Sequence, residues 1–311
     1  MYSNVDYKKY LKTFTDQNVR SDGRPMHHAR ETTFLRGVLT RNTYGSALVR
    51  MGNTRVVAAV TLSVGRPTAA SPNYGEVDVS VTMGPLCSPL LGPSGRPTTL
   101  PTMTLASAEG INSNYSSNGK TSMPTEASVL ESFLRRTLLQ SGILELSDLC
   151  IQEGKSAWKI LISIVCLNHD GNMEDAAFLS AVTALSNTQL PRIVISSQGV
   201  VYLKDVDDNR DNTTNNTTKL FLDTFDESKL KLQCIPVPLS IGMFDGKLLV
   251  DPSGEEELVL DGVLTLIVTS QGQVVSINKP GGAFISSEDL AACLTLATSR
   301  AKEIEDAIFK L

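Results

Sequence analysis

Residues Ala157 to Leu167 read AWKILISIVCL, a long apolar strand that runs directly into CLNHDGNMEDAA, which is a tight Asp-Gly turn and the start of a helix of small residues. The strand reads as buried. The helix, about Met173 to Asn187, offers Ala177, Ala181, Ala184 and Leu185 as an inward stripe small enough for close packing. The turn gathers Asp170, Glu174 and Asp175 within a few residues, at a position where many α/β enzymes keep their chemistry. These carboxylates are therefore the first candidates for catalysts, metal ligands or the remains of a site.

Elements of both types alternate along the rest of the chain. A short amphipathic helix, about Asp6 to Phe14, precedes the turn-rich RSDGRP; SALVRMGNTRVVAAVTLSV reads as two strands joined at Gly52-Asn53, and GEVDVSVTM as a third. Residues 84–123 are rich in Gly, Pro, Ser, Thr and Asn, the composition of a long surface or binding loop. A helix from about Thr125 follows, with Leu130, Phe133, Leu134 and Leu138 on one face. The run DDNRDNTTNNTTK, between PRIVISS with VVYLKDV and the later strands, is too polar for a core and is expected as a solvated hairpin tip. LQCIPVPLSIGMF, KLLVDPS, GVLTLIVTS and VVSINK add strands separated by Asp-Gly and Gln-Gly turns. A last helix opens at SSEDL, with Ser286 and Asp289 at capping-box spacing and Leu290, Leu294, Ala297, Ala301, Ile304 and Ile308 in one seam. The pattern predicts an α+β fold in two lobes, residues 1–190 and 191–311.

Composition narrows function by exclusion. A formal net charge of −5 over 311 residues is not that of a chain that coats nucleic acid by charge alone, so any RNA contact has to come from local basic residues. Cys87, Cys150, Cys166, Cys234 and Cys293 are scattered without CxxC spacing, which argues against a zinc ribbon or disulfide framework and for small buried apolar residues. The first residues carry no apolar signal-peptide core, and no stretch approaches the roughly 18 apolar residues of a membrane span. A soluble intracellular protein without membrane contact is expected.

RSDGRP, GSALVRMGNTRVVAAV, PLCS (Pro85 to Ser88), DLCIQEGKSAWKILISIVCLNHDGN, DPSGEEE and NKPGG occur in one order and spacing. Together they resemble the RNase PH-like ring subunits of the eukaryotic RNA exosome, over almost the whole chain apart from residues 89–124 and 205–219. The resemblance implies an RNase PH-like fold of two lobes of the ribosomal protein S5 domain 2 type, each β-α-β-α. It implies a hetero-hexameric ring of RNase PH-like subunits around an RNA channel, S1 and KH cap subunits, an associated catalytic exoribonuclease, and a location in nucleus, nucleolus and cytoplasm. It brings no cofactor and no metal.

Catalytic members of that family cleave RNA from its 3′ end with phosphate as nucleophile. They carry an Asp in the long strand, a second Asp in the turn, and Gly-Gly-Thr-Arg or Gly-Gly-Ser-Arg at the helix start, where N–H groups, hydroxyl and guanidinium hold the anion. Here the turn acid is Asp170, the strand position is the apolar Ile164, and the loop reads Gly171-Asn172-Met173-Glu174-Asp175. Asp170, Glu174 and Asp175 then mark a vestigial site. First-turn acids favour the helix dipole by about 0.3–1 kcal/mol each, and the same charges repel phosphate. Helix capping is preferred over a magnesium site for these acids, and a structural role over general base for His169, which has no visible partner. A non-catalytic structural subunit is expected, with an active phosphorolytic 3′-to-5′ exoribonuclease as the alternative.

RNA contact rests on other residues. Arg136 lies off the apolar stripe of its helix with Ser132 on the same face, and Arg135 is adjacent. Active relatives carry arginines at the positions of Ser132 and Arg136, so the resemblance points Arg136 and Arg135 towards RNA, against the plain reading of a solvated helix face. Arg66, Arg96 and Lys120 are further loop cations without a spacing argument. The run Glu255 to Glu257 reads as a solvated strand edge, and Trp158 as a core or interface anchor. The long apolar strand and the C-terminal strands are expected to present sheet edges or apolar faces that a ring neighbour covers.

Overall fold

The computed structural model describes residues 4–68, 71–84, 86–87, 126–196, 201–203, 221–225 and 228–309. Helix α1 (Asn4–Thr15) leads to β1 (Thr32–Arg36), β2 (Gly45–Met51), β3 (Thr54–Gly65) and β4 (Glu76–Met83), then to α2 (Glu126–Gln140), β5 (Cys150–Gln152), β6 (Ser156–Asn168) and α3 (Met173–Ser186). The strands form one sheet in the order β1-β2-β3-β6-β4, with β5 beside the start of β6 and β4 running parallel to β6. The long apolar strand is therefore interior to the sheet, not an edge. It buries Trp158, Ile160, Ile162, Ile164 and Cys166 on one face and exposes Leu161 and Val165 on the other beside Lys159 and Ser163, so its continuous apolar reading is an alternation with a mixed outer side. The true edge at β4 is blunted by α2, whose Glu131 accepts the Val81 N–H at 3.3 Å.

After α3 come β7 (Gln189–Leu190), β8 (Ile193–Ser196), β9 (Val201–Leu203), β10 (Phe221–Phe225) and β11 (Ser228–Lys229). Then follow β12 (Pro236–Phe244), β13 (Lys247–Val250), the single helical turn α4 (Gly254–Glu257), β14 (Gly262–Thr269), β15 (Val274–Asn278) and α5 (Ser287–Phe309). An antiparallel sheet takes the order β13-β12-β14-β15. Pro236 and Pro238 fall in the half of β12 that β13 does not reach, where one side of the strand needs no donor. The polar run DDNRDNTTNNTTK lies outside the described residues. The described strands before and after it, β9 and β10, flank β8 on opposite sides.

Helix α3 lies between the two large sheets, packed on β2 and β3 on one side and on β12 on the other. Every residue from Ala176 to Leu185 is buried. The expected alanine stripe is one side of a helix enclosed all round, and its hydroxyls are satisfied internally: Ser180 donates to the Ala177 carbonyl at 2.8 Å and Thr183 to that of Leu179 at 2.7 Å. Helix α5 packs on β12 and β14 through Cys293, Ala297, Ala301, Ile304 and Ile308. Its start is capped as the spacing predicts, the Asp289 N–H donating to Ser286 Oγ at 3.0 Å. Leu11 of α1 packs with Met26, Phe244, Leu249 and Val259 on the C-terminal sheet. Cys87, Cys166 and Cys293 are buried, Cys150 and Cys234 partly so, all as free thiols. Among the described residues no helix is long and apolar enough to cross a membrane.

Candidate functional site

The turn between β6 and α3 is braced by three neighbours. Arg30, ahead of β1, donates to the carbonyls of Asp170 (2.6 Å) and Gly171 (3.3 Å). Thr54, at the start of β3, accepts the Asp170 N–H at 3.1 Å and donates to the Gly171 carbonyl at 2.8 Å. Asn53 donates to the Asp170 carboxylate at 3.1 Å. His169 has a partner after all: its Nδ1 accepts the Gly171 N–H at 3.1 Å, and burial lowers its pKa, so it is a brace of the turn in the neutral form. Gly171 is left-handed (φ +76), and a Cβ there would stand 2.4 Å from the Gly254 nitrogen, so this turn and the loop before α4 meet backbone to backbone.

That loop carries the acids the sequence placed on a solvated strand edge. They form α4 instead, with Glu256 buried and Glu257 largely so, because each has a partner on another element. Glu256 receives the guanidinium of Arg20 in an ion pair with both side chains out of solvent, and Arg20 also donates to the Val250 and Asp251 carbonyls. Asp251 receives Arg30 through Nε (2.8 Å) and Nη2 (2.7 Å). Burial opposes the charge of Asp251, but Arg30 outweighs it and holds the carboxyl below its usual range. Glu257 accepts the Asn172 N–H at 2.7 Å, and burial pushes its pKa up to about 7. An N–H at the start of α3 is thus taken by a carboxyl of the same chain.

Glu174 and Asp175, neighbours in sequence, face different partners. Asp175 is 2% exposed and points into the C-terminal sheet. Its Oδ2 accepts from Asn172 Nδ2 and from the Ser240 N–H, both at 2.8 Å, and its Oδ1 lies 2.8 Å from Ser240 Oγ. It neither caps its own helix nor meets an incoming anion; it joins α3 to β12. Burial pushes its pKa up to about 7. Glu174 accepts from Thr265 Oγ1 at 3.2 Å, and burial raises its pKa too. Among the described residues no group of three or more His, Cys, Asp or Glu is arranged to hold a metal ion. Arg20, Arg30, Ser240 and Thr265 were not singled out from sequence; a hydroxyl at an inward position of an otherwise apolar strand is the one signal that Ser240 and Thr265 offered.

Arg135 and Arg136 are both exposed on α2. Arg135 pairs with Asp78 of β4 at 3.2 Å and lines a cavity of about 220 Å³ with Arg66, Tyr74 and Lys159. Arg136 makes no ion pair among the described residues. Ser132, beside it, is turned back on the Ser128 carbonyl at 2.8 Å. Trp158 is 5% exposed, a core residue and not a stacking platform. Arg96 and Lys120 lie outside the described residues.

Residues 28–191 match the 3′ exoribonuclease family, domain 1, and residues 234–300 match domain 2 of the same family, both of the RNase PH type. The chain belongs to this RNase PH family. It is 30% identical over 286 residues to exosome complex component Rrp42 of Methanopyrus kandleri, covering 92% of this chain and 89% of that one. To exosome complex component rrp43 of Schizosaccharomyces pombe it is 29% identical over 300 residues, covering 96% and 94%. A chain of the solved Archaeoglobus fulgidus exosome with RNA bound to the active site superimposes with a TM-score of 0.72 at 25% identity, covering 97% of this chain and 98% of that one. These matches give the chain an α+β, RNase PH-like fold.

Proposed function

We propose that this RNase PH-like chain is a non-catalytic structural subunit of an RNA exosome core ring. It would help to form the channel through which RNA is threaded for 3′-to-5′ processing and decay by an associated exoribonuclease. Its partners are other RNase PH-like subunits in a hetero-hexamer, S1 and KH cap subunits and RNA itself; nucleus, nucleolus and cytoplasm are where such a complex works. Residues 1–190 and 191–311 serve as its two lobes. Relatives named as exosome components match it over nearly its whole length, which supports the ring assignment.

One observation carries the non-catalytic part: Glu257 takes the Asn172 N–H at the start of α3, beside Glu174. The loop Gly171 to Asp175 is read as a degenerate phosphate loop because it brings acids where catalytic members bring hydroxyl and guanidinium donors, and Arg30 is already committed to Asp251 and to the Asp170 and Gly171 carbonyls. Isolating the native complex and identifying its chains by mass spectrometry should find this chain in equal amount with RNase PH-like partners. The purified chain, given RNA and phosphate, should release no nucleoside diphosphates. A partner-free monomer would sink the ring assignment, and diphosphate release abolished by Asp170→Ala would sink the non-catalytic one.

The RNA contact is assigned first to Arg136, which makes no ion pair among the described residues, and second to Arg135, which is paired with Asp78. Contact to phosphate is insensitive to base sequence and weakened by salt. In an assembled ring, Arg136→Glu with Arg135→Glu should reduce protection of threaded RNA and lower the logarithmic salt slope by about 1 for each phosphate that is no longer neutralised. Arg135→Glu alone should do less, since it removes an exposed pair with Asp78 worth about 0–1 kcal/mol. Unchanged footprints on a correctly assembled double mutant would return both residues to an ordinary solvated helix face.

A further inference from the structure

Two carboxyl groups on the first turn of α3 are connected by hydroxyls that cross into the other lobe. Asp175 Oδ1 lies 2.8 Å from Ser240 Oγ of β12, Ser240 Oγ lies 3.0 Å from Thr265 Oγ1 of β14, and Thr265 Oγ1 lies 3.2 Å from Glu174 Oε2. Three oxygen-to-oxygen contacts need three hydrogens, and the two hydroxyls bring only two. With both carboxylates ionised, Ser240 donates to Asp175 and Thr265 donates to Glu174, and the contact between the hydroxyls holds nothing but lone pairs. One proton on either carboxyl completes the chain. From Asp175 the donors then run to Ser240, to Thr265 and to Glu174; from Glu174 they run the opposite way.

Among the described residues no cation contacts either carboxyl to replace this proton. Asp175 receives only neutral donors at Oδ2, the Asn172 amide and the Ser240 N–H. Across Asn172 stands Asp251, whose charge is met by Arg30, and Glu257 of α4 adds a further acid beside Glu174. Asp175, Ser240 and Thr265 are 2%, 3% and 1% exposed and Glu174 is half-buried, so solvent reaches the chain only at its Glu174 end.

We propose that Asp175 and Glu174 share a single proton through Ser240 and Thr265, and that this proton makes the contact between the lobes a pH-responsive clasp. Burial raises both carboxyls, Asp175 to about 7. A carboxyl whose pKa is raised by folding contributes its stability in full below the unfolded value of about 4 and loses it as pH rises towards the folded value, here about 7; above that the loss is complete and the dependence levels off. One linked proton changes the opening equilibrium by up to about tenfold per pH unit within that window.

The test is hydrogen exchange of the Ser240 amide and of the β12 and α3 backbone in the full chain, with its ring partners if they copurify, corrected for the intrinsic pH dependence of exchange. In the wild type, protection should fall by up to about tenfold per pH unit from about pH 5 to about pH 7 and then level off. Asp175→Asn and Glu174→Gln should each remove that component, because either amide places a permanent hydrogen where the shared proton sits. Glu257 titrates in the same window but is present in all three proteins, so the difference from wild type is the readout. If Glu174→Gln keeps the wild-type profile, the proton is not shared and the proposal is overturned; if Asp175→Asn does not fold, Glu174→Gln decides alone. The readout involves neither RNA nor phosphate, so it stands apart from the ring assignment.

Discussion

Changing Arg20 to Ala is expected to destabilise the chain by about 3–5 kcal/mol, as removal of one partner from a buried ion pair does. Its guanidinium and the Glu256 carboxylate are 0% and 1% exposed, so neither gains solvation when the other leaves. The substitution strands the carboxylate and also takes a donor from the Val250 and Asp251 carbonyls, which lie where β13 turns into α4. Urea unfolding gives the measurement. A loss under about 1 kcal/mol would mean that water reaches Glu256 once Arg20 is gone, as at an exposed pair. Replacing both partners, Arg20→Met with Glu256→Leu, should recover much of the loss, because an apolar pair of similar volume has no charge to desolvate.

Gly171→Ala should be nearly as damaging, by a different route. The residue sits at φ +76, where a Cβ is strained, and that Cβ would approach the Gly254 nitrogen to 2.4 Å and the Ser253 carbonyl carbon to 2.5 Å. Those are backbone atoms with no rotamer to escape into, so the turn and the α4 loop have to separate. Strain and overpacking together amount to about 2–4 kcal/mol. The contact couples the lobes, so thermal melting should fall and exchange at Asn172 should rise together; a melting temperature within about a degree of wild type would show that the loop has room to retreat.

Local pattern was enough for most elements. Leu130, Phe133, Leu134 and Leu138 turned inward as their spacing requires, and the Asp-Gly turn after β6 led into α3 where expected. What one-dimensional spacing does not contain is the identity of distant partners. RSDGRP and DPSGEEE looked like separate signatures, yet they are halves of one buried network: Arg20 meets Glu256, and Arg24 reaches Asp251 at 3.4 Å. Three acids in a row look like surface because the sequence does not display the arginine and the amide that take two of them. Asp175 misled for the same reason. A first-turn acid ordinarily serves its own helix, and this one serves Ser240 on the far sheet, a hydroxyl in the otherwise apolar strand β12. The position of β6 inside its sheet was hidden by its composition, since Leu161 and Val165 make its outer side partly apolar despite Lys159 and Ser163.

Glu257 also sets the terms on which any dissolved anion could compete for α3. A group held on a short tether acts at an effective concentration of roughly millimolar when the tether is flexible, and at far higher values when its orientation is fixed. Here α4 and the adjoining Arg20–Glu256 pair fix it. Free phosphate would have to outcompete a rival that never diffuses away. Restoring donors between Asn172 and Asp175 would therefore leave the position occupied, and removing Glu257 alone would free the Asn172 N–H but supply no hydroxyl or guanidinium beside it. On the proposed reading of Gly171 to Asp175 as a degenerate phosphate loop, anion binding would require changes in two segments some 80 residues apart, each without benefit until the other occurs.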